Sequence, residues 1–132
     1  MIVRRIEDII DTEREVHGKT GTWTSRRFLL KEDGMGFSFH ETIIHAGTET
    51  LIWYKSHLEA VYCVGGEGEI EVSDNGEVHQ IKDGTMYALN GHERHKLRAH
   101  KDMRMICVFT PSLTGREDHD EHGSYPTEAE YG

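Results

Sequence analysis

Short segments of alternating apolar and polar residues run along the chain from residue 37 to residue 109. Alternation with a period of two is typical of β-strands that bury one face. Turn-forming pairs such as Gly65-Gly66 and Asn90-Gly91 separate the segments. Strands at this close spacing indicate an antiparallel barrel or sandwich. The pattern predicts strands at residues 37–45, 50–54, 60–64, 68–72, 85–89, 95–99 and 103–109.

The two ends of the chain follow other patterns. Residues 5–15 place Ile6, Ile9 and Ile10 on one side, which predicts a short amphipathic helix near the edge of the barrel. After Pro111 the chain has few apolar residues and many charges. We therefore expect one domain over residues 1–132, in which residues 112–132 form a lid and a mobile C-terminal tail.

Composition narrows the class of partner. The chain has 24 acidic and 15 basic residues, and its net charge of -9 repels nucleic acid and anionic membranes. It contains no apolar run long enough for a transmembrane helix and no apolar stretch typical of a secretory signal at its start. Cys63 and Cys107 lie in apolar strands, which indicates buried reduced thiols and a cytoplasmic protein.

Glycines and one carboxylate are spaced as in small metal-binding barrels of the cupin type. The first motif of those barrels holds two histidines between a glycine and a glutamate. Here Gly47 is followed by Trp53 and Lys55 at the histidine positions, and then by Glu59 and Gly66. The spacing resembles the cupin motif, although both histidines are replaced.

The second cupin motif ends on a histidine, and its position here holds Tyr87, three residues after Gly84. Glu59 and Tyr87 remain as possible metal ligands, and His92 or His95 could supply a third. A carboxylate, a phenol and an imidazole suit iron(II), and zinc is also possible. The alternative is that these side chains are an ordinary strand carboxylate, a core aromatic and a surface histidine.

Motifs along nearly the whole chain are similar to those of the L-ectoine synthase family, whose members have the cupin fold. They are MIVR at the start, Trp23, Ser25 and Arg27 in W-x-S-x-R, LLKEDGMGFSFH at 29–40, HLEAVYC at 57–63, GEVHQIKDGTMYAL at 76–89, HERH at 92–95, CVFTP at 107–111, LTGRE at 113–117 and GSYP at 123–126. The resemblance implies an all-β fold, a small antiparallel β-barrel (jelly roll) with one or two short helices.

The resemblance also implies the chemistry. Iron(II) would be held by Glu59, Tyr87 and His95, with His95 rather than His92 as the histidine ligand. The enzyme would be a hydro-lyase that closes N-γ-acetyl-L-2,4-diaminobutyrate to ectoine, a compatible solute made under osmotic stress, with loss of water. A homodimer would be expected.

The resemblance places substrate contacts on eight residues. Arg27 would clamp a carboxylate, and Glu117 would pair with the amine or move a proton, which makes it catalytic together with Glu59, Tyr87 and His95. The aromatic residues would wall the pocket, or else be ordinary core residues. The eight are Trp23, Arg27, Thr42, Tyr54, Cys107, Phe109, Glu117 and His119.

Two other functions fit the same motifs. The domain could be a metal-free cupin module that only binds small molecules, or a cupin dioxygenase, since iron(II) with open positions binds O₂. The run of acids and histidines at residues 118–122 is expected to be solvated rather than a second metal site. Trp53, which stands where relatives often have histidine, casts little doubt on activity.

Overall fold

The structure is a computed structural model, and it describes residues 1–126. In this part of the chain there are ten β-strands and two single-turn 3-10 helices, the latter at Ile6–Asp8 and Lys31–Asp33. The strands are β1 Glu15–His17, β2 Trp23–Leu29, β3 Ser38–Ile44, β4 Glu49–Ile52, β5 Leu58–Gly65, β6 Glu67–Val72, β7 Val78–Lys82, β8 Met86–Leu89, β9 His95–Ala99 and β10 Met103–Thr110.

The strands form two antiparallel sheets. The six-stranded sheet has the order β1-β2-β3-β10-β5-β8, and the four-stranded sheet has the order β4-β9-β6-β7. The inward side chains of both sheets form one apolar core. Strands β8 and β7 are edge strands, so the barrel stays open on that side. The predicted cupin-type antiparallel jelly roll with short helices is confirmed.

Alternation along the central strands decides which residues face the interior. In β5, Glu59, Val61 and Cys63 are buried, whereas the residues between them are exposed. Strand β10 repeats this pattern and buries Cys107 and Phe109. Each large apolar side chain that is removed from water contributes about 1.5–3 kcal/mol to folding. Both cysteines are buried and unpaired, as predicted.

The predicted helix over residues 5–15 is wrong. Only Ile6–Asp8 form a helical turn, of the 3-10 type, and Asp11 then adopts a left-handed backbone conformation with φ of 61°. Glu15 already belongs to β1 and faces Arg26 in the register with β2. The ion pair between the Glu15 carboxylate and Arg26 Nε, at 3.0 Å, favours the strand. Within residues 1–126 no helix is long and apolar enough to span a membrane.

The segment after β10 returns to the chain after β2 and after β4. The backbone N–H of Lys31 donates to the carbonyl oxygen of Leu113, and that of Trp53 donates to the carbonyl oxygen of Gly123. Ser124 and Tyr125 are buried, so this part of the predicted mobile tail is packed against the barrel. The rest of that tail, residues 127–132, lies outside the described residues. A mobile lid and tail stay a prediction.

Candidate active site

Neighbouring strands carry Glu59 and Tyr87 into the same cavity. Glu59 lies on β5 opposite Leu89 of β8, and Tyr87 lies opposite Val61 in the same register. Burial raises the pKa of the Glu59 carboxyl to about 8, although a hydrogen bond with Cys107 works in the opposite direction. Burial, and then the charge of Glu59, raise the pKa of the Tyr87 phenol. Both oxygen donors therefore sit in an apolar place that favours their neutral forms.

His95 presents a free ring nitrogen in the interior of the barrel. It is the first residue of β9 and is fully buried. Its Nδ1 lies 2.9 Å from the backbone oxygen of Glu93, so Nδ1 carries the proton and donates it to that oxygen. Its Nε2 is buried and has no hydrogen-bond partner among the described residues. His92, the other histidine of HERH, is exposed, and its Nδ1 lies 2.9 Å from the backbone oxygen of Tyr54.

The cavity is small, with a volume of about 30 Å³, and its lining combines aromatic and aliphatic side chains. Six of the eight residues predicted to contact substrate line it together with Glu59 and Tyr87. His95 instead lines a neighbouring groove of about 680 Å³ next to the edge strands β7 and β8, and Tyr87 reaches both spaces. The six predicted residues are Trp23, Thr42, Tyr54, Cys107, Phe109 and His119.

Arg27 and Glu117 are buried outside this cavity and organise the segment that covers it. The Arg27 guanidinium donates to the backbone oxygens of Gly115 at 2.8 Å and Glu117 at 2.6 Å. The Glu117 carboxylate accepts hydrogen bonds from the backbone N–H groups of Thr114 and Gly115, both at 2.7 Å. In this arrangement both side chains hold residues 112–119 in place. Their roles toward substrate stay predictions.

His119 reaches the cavity from the covering segment. Its Nε2 lies 2.8 Å from the Tyr54 hydroxyl, and its ring packs on Trp23 with 4.9 Å between centroids. Burial lowers the pKa of His119 to about 4. The imidazole is therefore neutral at pH 7, and its Nε2 shares a hydrogen bond with the Tyr54 hydroxyl.

Two groups of residues at the site escape prediction from the sequence. Tyr125 lines the cavity, and GSYP is the only signal for it. Around Phe109, three buried polar atoms have no partner among the described residues: Ser38 Oγ, His40 Nε2 and His57 Nδ1. The His40 and His57 rings lie 5.2 and 6.2 Å from the Phe109 ring. Burial lowers the pKa of both histidines, so both are neutral.

Other predicted features lie away from the cavity. Trp53 does not line it: its ring lies 4.5 Å from the Lys55 ammonium and 6.4 Å from the His122 ring. Within residues 1–126 no three His, Cys, Asp or Glu side chains lie close enough to hold a metal ion. That residues 118–122 are solvated rather than a second metal site stays a prediction. A metal site that uses Glu59 and His95 would therefore need a third ligand of another type, such as the phenol of Tyr87.

Solved structures with the same architecture define the class. A predicted oxalate decarboxylase of Thermotoga maritima superposes with a TM-score of 0.68 at 21% identity, over 83% of this chain and 99% of that one. An RmlC-like cupin of Shewanella frigidimarina gives a TM-score of 0.58 at 17% identity, over 70% and 78%. At such identities the likeness shows the fold alone, and that fold is the cupin barrel.

Sequence comparison narrows the class to one family. The ectoine synthase family profile matches residues 1–129. The L-ectoine synthase of Desulfosudis oleivorans is 64% identical over 126 residues, 95% of this chain and 96% of that protein. That of Halalkalibacterium halodurans is 60% identical over 96% of both chains. The crystal structure of ectoine synthase from P. lautus superposes with a TM-score of 0.82 at 61% identity, over 86% of this chain and 80% of that one.

The chain belongs to the ectoine synthase family. It is accordingly a hydro-lyase that forms ectoine from a small-molecule substrate.

Proposed function

We propose that the substrate is N-γ-acetyl-L-2,4-diaminobutyrate and that Glu59, Tyr87 and His95 hold an iron(II) ion beside it. The α-amino nitrogen attacks the acetamide carbonyl carbon, the new C–N bond closes the ring, and the carbonyl oxygen leaves as water. The product is a cyclic amidine. One observation carries the proposal: Glu59 and Tyr87 share a cavity with the predicted substrate contacts, and Tyr87 also borders the groove where His95 lies.

The chemistry of the three side chains supports the proposed metal ion. His95 Nε2 keeps its lone pair because Nδ1–H is bound to a backbone oxygen, which is the usual way a protein fixes a ligand imidazole. A cation would compensate the buried Glu59 carboxylate. Two oxygen donors and one nitrogen donor suit iron(II) and leave coordination positions open. When bound, the metal would supply Lewis-acid polarisation of the amide carbonyl.

The remaining residues bind and orient the substrate. The walls formed by Trp23, Tyr54 and Phe109 exclude water, which strengthens every electrostatic interaction inside the cavity. Folding the flexible substrate into a ring-like shape brings amine and carbonyl together, so orientation itself lowers the barrier. Arg27 would pair with the substrate carboxylate once the covering segment moves, and Glu117 would take a proton from the amine.

Alanine variants of the three proposed ligands test the metal assignment, with His92 of the same HERH motif as the control position. We expect Glu59→Ala, Tyr87→Ala and His95→Ala to lose bound iron and to lower turnover about 10²–10³-fold while the barrel stays folded. His92→Ala, which removes an exposed histidine three positions away, should keep both iron and activity. The measurement is iron per protein by mass spectrometry together with ectoine formation. Full activity in any two of the three ligand variants would contradict the assignment.

Two further experiments address the alternative functions. A metal-free binding module would carry no metal after purification, and a chelator would change nothing. A dioxygenase would consume oxygen during turnover, whereas ring closure with loss of water consumes none. We expect unchanged rates under nitrogen and no oxygen uptake in an electrode.

A homodimer is supported by the outer face of the six-stranded sheet. On β5 and the edge strand β8, Leu58, Tyr62, Val64 and Met86 are exposed, with Met86 61% accessible. An exposed apolar face next to an unpaired strand edge is typical of an interaction surface. We propose that a second copy of this chain packs against it. In sedimentation velocity, Tyr62→Glu should give monomers. Leu51→Glu, on the other sheet, should remain dimeric, and two dimeric variants would contradict this interface.

We further propose that the protein works in the cytoplasm, in the synthesis of a compatible solute under osmotic stress. Two buried, unpaired cysteines fit a reducing compartment. Fractionation of cells grown at low and high salt, with an antibody against the protein, would test both statements.

A further inference from the structure

Tyr125 lines the cavity and is packed among its aromatic side chains. Its ring stacks on Tyr54 with 5.1 Å between centroids and an interplanar angle of 14°. It also packs edge-on against Phe109 at 5.3 Å and lies 4.8 Å from the His119 ring. The Arg27 guanidinium carbon lies 5.5 Å from its centroid. The side chain, which is almost fully buried, thus has an aromatic or cationic neighbour on several sides.

The space left beside Tyr125 is too small for the substrate. The cavity volume of about 30 Å³ has room for about two water molecules, since one water needs about 10–15 Å³ of such space. An acetylated diamino acid has many more non-hydrogen atoms than a water molecule. The substrate therefore cannot enter this cavity while the Tyr125 ring stays where it is.

The neighbours of Tyr125 are the residues predicted to bind substrate. Five of the eight predicted contacts touch its ring: Trp23, Arg27, Tyr54, Phe109 and His119. A side chain and a substrate that use the same walls exclude each other. We propose that Tyr125 occupies the place of the substrate in the empty enzyme, and that substrate binds only when the segment carrying Tyr125 leaves.

Besides the packing of Tyr125, two hydrogen bonds join the segment to the chain just after β4. The N–H of Trp53 donates to the Gly123 oxygen, and the N–H of Lys55 donates to Ser124 Oγ at 3.1 Å. Gly123 has φ of 74°, and a Cβ atom there would overlap the backbone oxygen of Leu51. Any other residue at this position would push the segment off β4.

Docking of the segment reduces the apparent affinity for ligand. If the ring occupies the cavity in about nine molecules of ten, the dissociation constant rises about tenfold over that of the open site. Tyr125→Ala empties the cavity, and Gly123→Ala undocks the segment without altering a cavity residue. Both variants should bind ectoine about tenfold more tightly in calorimetry and show a lower KM. Glu121→Ala, an exposed position on the same segment, should bind like the wild type.

Unchanged or weaker binding in both variants would overturn the proposal, because Tyr125 would then be a wall that supports the substrate. A second readout does not depend on turnover. Hydrogen exchange at the Trp53 amide should speed up when ectoine saturates the protein, since its acceptor leaves; unchanged exchange would also overturn the proposal. This inference rests on the proposed function, but the two can fail separately. A wild type that forms no ectoine contradicts the function. If the wild type is active and both variants bind ectoine no more tightly, only the role of Tyr125 is contradicted.

Discussion

Glu59 is a carboxyl group whose surroundings favour its neutral form. It is buried on β5, its pKa is raised to about 8 by that burial, and its hydrogen-bond partner is the thiol of Cys107 rather than a cation. A metal ion would reverse this preference, because it binds the carboxylate and releases the proton. Burying the Glu59 carboxyl thus destabilises the metal-free barrel, and its ionised form is favoured only with a cation beside it.

Glu59→Gln separates these two effects. Glutamine has the shape of the protonated carboxyl group, so we expect the free energy of unfolding of the metal-free protein to change by less than about 1 kcal/mol. Turnover should fall about 10²–10³-fold, because an amide is a poor ligand for the metal. Glu67→Gln, at an exposed position of β6, serves as the control and should keep full activity. Denaturant titration and an ectoine assay make the comparison, and wild-type turnover in the Glu59→Gln variant would contradict the ligand role.

Single residues are predictable where a motif names them. Glu59 and Tyr87 stand at motif positions, and the structure brings both into the cavity. The polar sequence around Tyr125 predicts a mobile tail, yet its ring is packed among five aromatic side chains and Arg27. His40 and His57 stand in the motifs at 29–40 and 57–63, but the sequence does not predict their burial, since it depends on strands from distant parts of the chain.

At the scale of elements, glycines allow the strands to approach each other. Gly66, between β5 and β6, has φ of 104°, and a Cβ atom there would overlap the backbone oxygen of Asp102. A Cβ atom at its neighbour Gly65 would meet no atom within 4 Å, and the backbone there has no positive φ. The two adjacent glycines therefore have different requirements, although the sequence presents them as one turn signal.

Alanine substitution distinguishes the two glycines. Gly66→Ala should lower the free energy of unfolding by about 2 kcal/mol or more, because both the left-handed backbone and the close approach are lost. Gly65→Ala should change it by less than about 0.5 kcal/mol. Urea titrations of both variants beside the wild type measure the difference. Equal effects at the two positions would show that the backbone relaxes around a Cβ at Gly66.

Elements with strict alternation are predictable, and the others are not. Strands β5 and β10 follow the predicted segments closely, because each alternates apolar and polar residues. Strand β2 escapes prediction because it buries Ser25 and Arg27 on its inner face, where apolar residues are expected. Strand β7 buries only Ile81. The wrong helix over residues 5–15 arises from three isoleucines with helical spacing, of which only Ile9 is buried.

At the scale of the whole molecule, buried neutral histidines make the fold sensitive to acid. The pKa of His119 is lowered to about 4 in the folded protein by burial, whereas the unfolded chain takes up the proton near pH 6.5. Between these values the unfolded state binds more protons, so stability falls as pH falls from about 6.5 to about 4. The full contribution of His119 is about 3 kcal/mol.

His119→Asn should reduce this dependence. Because asparagine does not titrate, the loss of unfolding free energy between pH 7 and pH 4.5 should be about 2–3 kcal/mol smaller in the variant than in the wild type. His122→Asn, a half-exposed histidine three residues away, serves as the control. Identical pH dependence in the wild type and His119→Asn would contradict a buried neutral imidazole at this position.

Residues from nearly the whole length of the chain contribute to the site. Its cavity is lined from Trp23 on β2 to Tyr125 after the last strand, through both sheets. Periodicity predicts strands but not which strands become neighbours, so it cannot bring these side chains together. The cupin spacing suggests Glu59 and Tyr87, and the resemblance to a family, carried by motifs along nearly the whole sequence, selects His95 as their partner.

The most direct test of the proposed reaction is ectoine formation from N-γ-acetyl-L-2,4-diaminobutyrate under nitrogen, by protein with iron(II), after chelation, and after iron is restored. We expect product with iron, none after the chelator has removed the metal, and recovery when iron is added back, with metal content measured in each sample. Product formed at an undiminished rate by protein verified to be metal-free would contradict the metal mechanism. No product from folded, iron-loaded protein would contradict the proposed reaction itself.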